Sequence, residues 1–280
     1  MAQRQVPKVR YEYMTVNSVP TKVMLVGKTD LGPNCQEPLL ICIPGHDEVV
    51  TKHLAPSPKE HWHLYGLYGQ VRHKVEFVRS WVTGNRAIFL AGHSIGAYMI
   101  LQVLEELKEL NVKRSFLLFP VIERLSETPN ACNLTWDARL LKLLSWLIVL
   151  LLTVLPETVK SLLVSWYCQS LPPAIRQRSI KATNVLFKPT VFQIVMDMAH
   201  EELQVLGERD DEFIGAHMER LTFYYGCNDG WCPVLFYQEI KETFPNGDIT
   251  LCALNLKHAF VLDRTAEIAA FVSDRIRNSL

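Results

Sequence analysis

At 280 residues, 49% of them hydrophobic, the chain is long enough for one α/β domain with an insertion and apolar enough for a large core or a lipid contact. Its 29 basic side chains balance 29 acidic ones and no basic stripe appears, which argues against nucleic-acid binding. The first eight residues hold no apolar stretch of signal-peptide type, and seven scattered cysteines read as reduced thiols of an intracellular protein.

In chain order, Leu39–Ile43 reads as a buried strand. It runs into Pro44-Gly45-His46, where the N–H of Gly45 or His46 is a candidate oxyanion donor. About 44 residues separate this strand from the next. Asp47 to Lys59 is polar and proline-broken, and Val49-Val50 is too short for a strand. Trp62–Val82 reads as helix, with Val71, Val75 and Val78 inward.

The apolar run Ile88-Phe-Leu-Ala91 ends in Gly92-His93-Ser94-Ile95-Gly96. Met99, Ile100, Val103, Leu104 and Leu107 then recur at helical spacing. Strand, G-x-S-x-G, helix is the context of a nucleophile elbow. It predicts Ser94 on a strained turn, with glycines at 92 and 96 allowing strand and helix to approach closely. The N–H of Ile95 is then the first oxyanion donor. The plainer alternative is a glycine-rich turn with a capping serine.

Between Asn130 and Lys188 the strand–helix alternation stops. Leu140–Leu155 is apolar on nearly every side, Pro156 ends it, and a second apolar helix opens at Glu157 and runs to about Tyr167. A helix of about 16 residues is roughly 24 Å long, short of a ~30 Å hydrocarbon core. A cap over the site or a monotopic hairpin in a lipid surface is therefore expected rather than a span. The lipid-associating candidates are Leu140, Leu143, Leu144, Trp146, Leu147, Leu151, Leu155 and Trp166, with Tyr167 interfacial.

Leu221–Tyr225 reads as a strand that breaks at Gly226-Cys-Asn-Asp229-Gly-Trp-Cys-Pro233. Val234–Thr243 reads as helix and Asp248–Leu254 as strand. The loop Asn255-Leu-Lys-His258-Ala-Phe260 follows, then a last helix from about Asp263. An acid after one late strand and a histidine after the next give the order Ser, Asp, His. Ser94 is the candidate nucleophile, His258 the base and Asp229 the residue that orients it.

Each has a rival. Asp229 sits in strong turn chemistry, and Asp210, Asp211 and Glu212 are other acids, though on a segment that reads as a solvated helix face. His93 would point away from the hydroxyl or line the pocket. Cys227 and Cys232 flank Asp229 without the histidine cluster of a zinc site, and no metal or cofactor motif is present.

These elements predict an α/β-hydrolase fold: a mostly parallel sheet with helices on both faces, one domain over 1–280, and an apolar insertion at 130–188. In that fold a helix, a strand and a second helix separate the strand at 39–43 from the elbow strand. Here only one helix is legible, so one helix–strand unit is expected to be missing. The expected consequence is a gap or a new pairing in the sheet.

Gly92-His-Ser-Ile-Gly96, the stretch Phe116 to Asn130, Leu221–Gly226, Asp229-Gly-Trp-Cys-Pro233 and Pro245-Asn-Gly-Asp248 together resemble the lipid droplet-associated hydrolases. The resemblance runs over most of the chain. It implies a serine hydrolase held on lipid droplets and the endoplasmic reticulum, at their cytosolic face, by its apolar middle segment. Ser94, Asp229 and His258 fall at the family's triad positions, and the implied substrates are neutral lipid esters, sterol esters above all. Two departures stand out. Gly45-His46 looks like a junction at which a helix and strand were skipped, as in a shortened splice form. Gly230 stands where the family tends to have proline. The alternative is a droplet-bound protein with little or no catalysis that works through lipid or protein contact. The sequence names no protein partner.

Overall fold

The computed structural model describes residues 9–16, 19–26, 37–43, 62–82, 85–134, 138–262 and 264–280. Five parallel strands form the main sheet: β3 (Leu39–Ile43), β4 (Ile88–His93), β5 (Val112–Leu118), β6 (Leu221–Gly226) and β7 (Asp248–Cys252). Each pairs with the next in sequence order. An antiparallel hairpin of β1 (Val9–Val16) and β2 (Val19–Val26) makes a separate two-stranded sheet. It meets the core at helix α1 (Leu67–Trp81), where Thr21 Oγ1 and His73 Nε2 lie 2.8 Å apart.

Burial follows from the parallel pairing. A parallel strand has helices on both faces, so a central one is apolar along its whole length. Every residue of β6 is buried, as are Ile88 to Gly92 of β4, whereas the outer strands β3 and β7 alternate. Helix α2 (Ile95–Glu106) packs along β4 and reaches β3 and β5. It buries Ile95, Ala97, Met99, Ile100, Val103 and Leu104. Neighbouring residues of a strand point to opposite faces. Tyr224 meets Phe271 of α10 (Thr265–Ser279), while Tyr225 meets Tyr237 of α9 (Val234–Thr243). Helices α9 and α10 therefore cover opposite faces.

The sheet itself has no gap. β3 pairs directly with β4 from Leu39↔Ile88 to Ile43↔Gly92. Among the described residues no strand pairs with the other edge of β3, and Leu40 and Cys42 are exposed there. The helix–strand unit expected to be missing falls in residues 44–61, which lie outside the described residues. An edge strand lacks one hydrogen-bonded ladder but leaves no hole in the core.

Between β5 and β6 the chain is helical: α3 (Pro129–Leu134), α4 (Ala138–Val154), α5 (Glu157–Tyr167), α6 (Pro173–Leu186), α7 (Pro189–Val205) and α8 (Asp211–His217). This stretch runs beyond Lys188, the end read from the sequence. Its two ends are pinned together. Arg124 N–H donates to Gly207 O at 2.7 Å and Leu125 N–H to Leu206 O at 3.3 Å. Buried Glu123 pairs with both Arg124 (2.7 Å) and Arg209 (3.0 Å). The stretch also holds the core from above, because Glu201 Oε2 accepts from Leu67 N–H at 2.8 Å and so occupies the N-terminus of α1. The last helix of the chain begins at Thr265, two residues later than the sequence suggests, after a short 3₁₀ turn over Phe260–Leu262.

Candidate active site

Ser94 stands between β4 and α2 with φ 59° and ψ −128°, a conformation that an L-residue holds only under constraint. The constraint is visible. Ser94 N–H donates to Leu118 O at 3.1 Å, and its carbonyl accepts from Val121 N–H at 3.2 Å and Ala97 N–H at 3.0 Å. A Cβ at Gly92 would lie 2.4 Å from Gly96 O, so strand and helix can come this close only over glycine. The strand–turn–helix sequence therefore folds into the elbow that its spacing predicts.

Asp229 lies in the turn after β6. Its Oδ1 accepts from Trp231 N–H (2.8 Å) and Cys232 N–H (3.3 Å), and its Oδ2 faces His258 Nδ1 at 2.6 Å. It is at once a turn aspartate and the acid of the site. His258, in the loop after β7, places Nε2 2.9 Å from Ser94 Oγ. An ionised carboxylate only accepts, so Nδ1 carries the proton and Nε2 is free to accept from the serine hydroxyl. The structure brings Ser94, His258 and Asp229 into one hydrogen-bonded chain from positions 164 and 29 residues apart.

The electrostatics suit that arrangement. Burial alone would raise the Asp229 carboxyl, but hydrogen bonds from His258, Cys232 and Trp231 and the attraction of His258 outweigh it and hold the group below its ordinary value. The Asp229 side chain is wholly buried while that of His258 is 18% exposed. Asp229 is therefore sealed behind His258.

Two contacts were not legible in the sequence. His93 Nε2 lies 2.8 Å from His258 O, and the His93 ring meets Phe260 edge-on with centroids 4.8 Å apart. His93 thus faces the loop of the base. The buried Cys232 Sγ lies 3.0 Å from Asp229 Oδ2. Asp229, Cys232 and His258 present donor atoms all within 4.8 Å of one another, a spacing that also suits a metal. Here these atoms are joined by N–H and S–H hydrogen bonds, which is proton-sharing rather than ligand geometry.

The rival acids lie elsewhere. Asp210 caps α8 by accepting from Phe213 N–H at 2.9 Å, Asp211 pairs with Arg209, and Glu212 is exposed. Ile95 opens α2, so its N–H belongs to the first turn, where donors have no partner within the helix. Gly45 and His46 lie outside the described residues. In the apolar segment, Leu144, Trp146, Leu147, Leu151 and Trp166 are exposed and Leu155 is half-buried, while the side chains of Leu140 and Leu143 lie outside what is described. No described helix is long and apolar enough to cross a membrane, and Leu144–Val154 and Glu157–Ser170 are bent against each other by 118°.

The model of the lipid-droplet associated hydrolase family matches residues 31–261. The chain belongs to the lipid-droplet associated hydrolase family. A human protein named lipid droplet-associated hydrolase is 38% identical over 241 residues, covering 85% of this chain and 72% of the relative. A Drosophila melanogaster protein of the same name is 28% identical over 302 residues, covering 95% of this chain and 97% of the relative. That alignment is longer than the 280-residue chain, so the fly family member has residues with no counterpart here. Among solved structures, the 2-hydroxy-6-oxo-6-phenylhexa-2,4-dienoate hydrolase of a Rhodococcus strain superposes with a TM-score of 0.62 at 13% identity, covering 97% of this chain and all of that one. This places the family member within the α/β-hydrolase fold.

Proposed function

We infer that this family member is a serine esterase acting on neutral lipid esters at the surface of a lipid droplet. Ser94 attacks the acyl carbonyl while His258 Nε2 takes its proton and then delivers it to the leaving alcohol. Asp229 keeps Nδ1 protonated and stabilises the imidazolium that forms. Ile95 N–H, with a second donor from Gly45 or His46, stabilises the tetrahedral oxyanion. Water then releases the acyl chain by the same steps, with no metal or cofactor. The single observation that carries this reading is the continuous hydrogen-bonded chain from Ser94 Oγ through His258 to Asp229.

The droplet follows as a proposal from the family's name and the outward apolar face of α4 and α5, and the endoplasmic reticulum membrane, at its cytosolic face, from the resemblance alone. Sterol esters are the foremost substrates in this reading because the resemblance implies them.

The test is labelling of the folded chain with a fluorophosphonate. Wild type should label, and Ser94→Ala should abolish the label and lower ester hydrolysis by about 10³-fold or more. Labelling that survives Ser94→Ala would remove Ser94 as the nucleophile. A cooperatively folded wild type that never labels would instead favour a droplet-bound protein without catalysis. The residues this chain lacks relative to its fly relative give that second reading its footing.

A further inference from the structure

The carboxylate of Asp229 has a neighbour that the triad mechanism does not use. Cys232 is fully buried and contacts both oxygens of the carboxylate, its backbone N–H on Oδ1 at 3.3 Å and its Sγ on Oδ2 at 3.0 Å. Oδ2 is also the oxygen that receives His258 Nδ1–H at 2.6 Å. With Trp231 N–H on Oδ1, four donors reach the two oxygens, about the full capacity of a carboxylate. An ionised carboxylate cannot donate, so the sulfur must be the donor. Burial first, and the adjacent Asp229 charge second, push the Cys232 thiol well above its ordinary range, so it keeps its proton.

We propose that Cys232 is a positioning residue of the relay. Its thiol donates to Asp229 Oδ2, locks the rotation of the carboxylate and weakens the pull of Asp229 on His258 Nδ1–H. The argument is one of competition. A carboxylate oxygen that accepts a second hydrogen bond spreads its charge over two donors and stabilises a neighbouring imidazolium less. Removing the thiol should concentrate that charge on His258 and raise its affinity for a proton. Among the described residues, the ionisable groups that face His258 are Asp229, Cys232 and His93, with Ser94 Oγ on Nε2, and behind Cys232 lies the buried phenol of Tyr225. Of these, Cys232 is the one whose effect reaches His258 through the shared oxygen.

The proposal rests on the esterase reading for its meaning in catalysis, but its test does not need turnover. The imidazole titration of His258 would be followed by NMR of histidine-labelled full-length protein in wild type, Cys232→Ser and Cys232→Ala. Cys232→Ala should raise the proton affinity of His258 about 3- to 10-fold, the size of one neutral hydrogen bond, and Cys232→Ser, which keeps a donor, should restore it to within about 2-fold of wild type. Cys232→Val, apolar and larger than alanine, carries the same comparison if the alanine variant does not fold. An unshifted His258 in the folded Ala and Val variants, or a serine variant displaced as far as alanine, would overturn the proposal. Fluorophosphonate labelling of wild type reports separately on the esterase reading, so either idea can fail alone.

Discussion

His93 fills the variable position of G-x-S-x-G, yet its ring nitrogen meets the backbone carbonyl of His258, whose Nε2 lies 2.9 Å from Ser94 Oγ. Both ends of this contact sit where small displacements are costly, because a misplacement of about 1 Å at a reacting pair can cost on the order of 10²-fold in rate. His93→Leu keeps the bulk and drops the polar contact. It should slow fluorophosphonate labelling of Ser94 by about 10- to 100-fold without loss of cooperative unfolding, whereas His93→Gln should retain much of the rate. Equal rates in both variants would show that the contact is idle. Ser94, Asp229 and His258 were legible in the sequence because each follows a strand in a fixed order, and chain order is what a sequence displays. His93 and Cys232 were not, for two reasons. The partner of His93 lies 165 residues away, and the role of Cys232 depends on which way one thiol points inside a turn.

At the scale of elements, α7 shows how the helical stretch is joined to the sheet domain. Glu201 caps α1, and the adjacent Glu202 is buried. Burial, with the charge of Glu201 added, pushes the Glu202 carboxyl up to about 8. A raised value means that the folded state holds its proton more tightly than the unfolded chain does. That contribution to stability is complete below the ordinary glutamate range near ~4.3 and is lost as pH rises through about 8. Glu202→Gln, neutral at every pH, should escape this loss. Its stability relative to wild type should rise on the order of 1–3 kcal/mol between pH 5 and pH 9, read from urea unfolding at each pH. Parallel pH profiles would mean that Glu202 ionises without strain. The strands β3, β4, β6 and β7 and the helices α2 and α9 were readable from periodicity, because a buried parallel strand and an amphipathic helix leave distinct patterns, whereas β1, β2 and β5 were not read as strands. The helix–strand unit expected to be missing between β3 and β4 would lie in residues 44–61, outside the described residues. What periodicity did not show is that β3 pairs directly with β4, a pairing made between residues about 49 apart in sequence.

Taken whole, the molecule has two unlike surfaces. Leu152 and Val164 are buried, while Trp146, Val154, Leu162, Trp166 and Tyr167 turn outward, the last four each about 70% exposed. An apolar surface of that extent is not left to water without a reason. The bend between α4 and α5 is held from inside, since the buried Lys160 Nζ donates to Leu152 O at 2.9 Å and to Glu157 Oε1 at 2.7 Å. A lysine at the C-terminal end of α4 also meets the negative end of its dipole, so the two helices form a fixed wedge rather than a straight span. Such a wedge suits insertion into one leaflet of lipid, where each large side chain transferred from water contributes about 1.5–3 kcal/mol. Leu162→Glu with Trp166→Glu should therefore weaken binding to phospholipid-coated triacylglycerol emulsions by about 100-fold or more, measured by flotation. The same pair should leave the unfolding midpoint and hydrolysis of a soluble short-chain ester nearly unchanged, because neither side chain lies in the core. Loss of stability in the double variant would instead mean that these residues pack against the protein, and unchanged flotation would mean that the lipid-facing surface lies elsewhere. Flotation and short-chain hydrolysis separate because the wedge is built on the helical stretch, whereas Ser94, Asp229 and His258 are held by the ends of β4, β6 and β7.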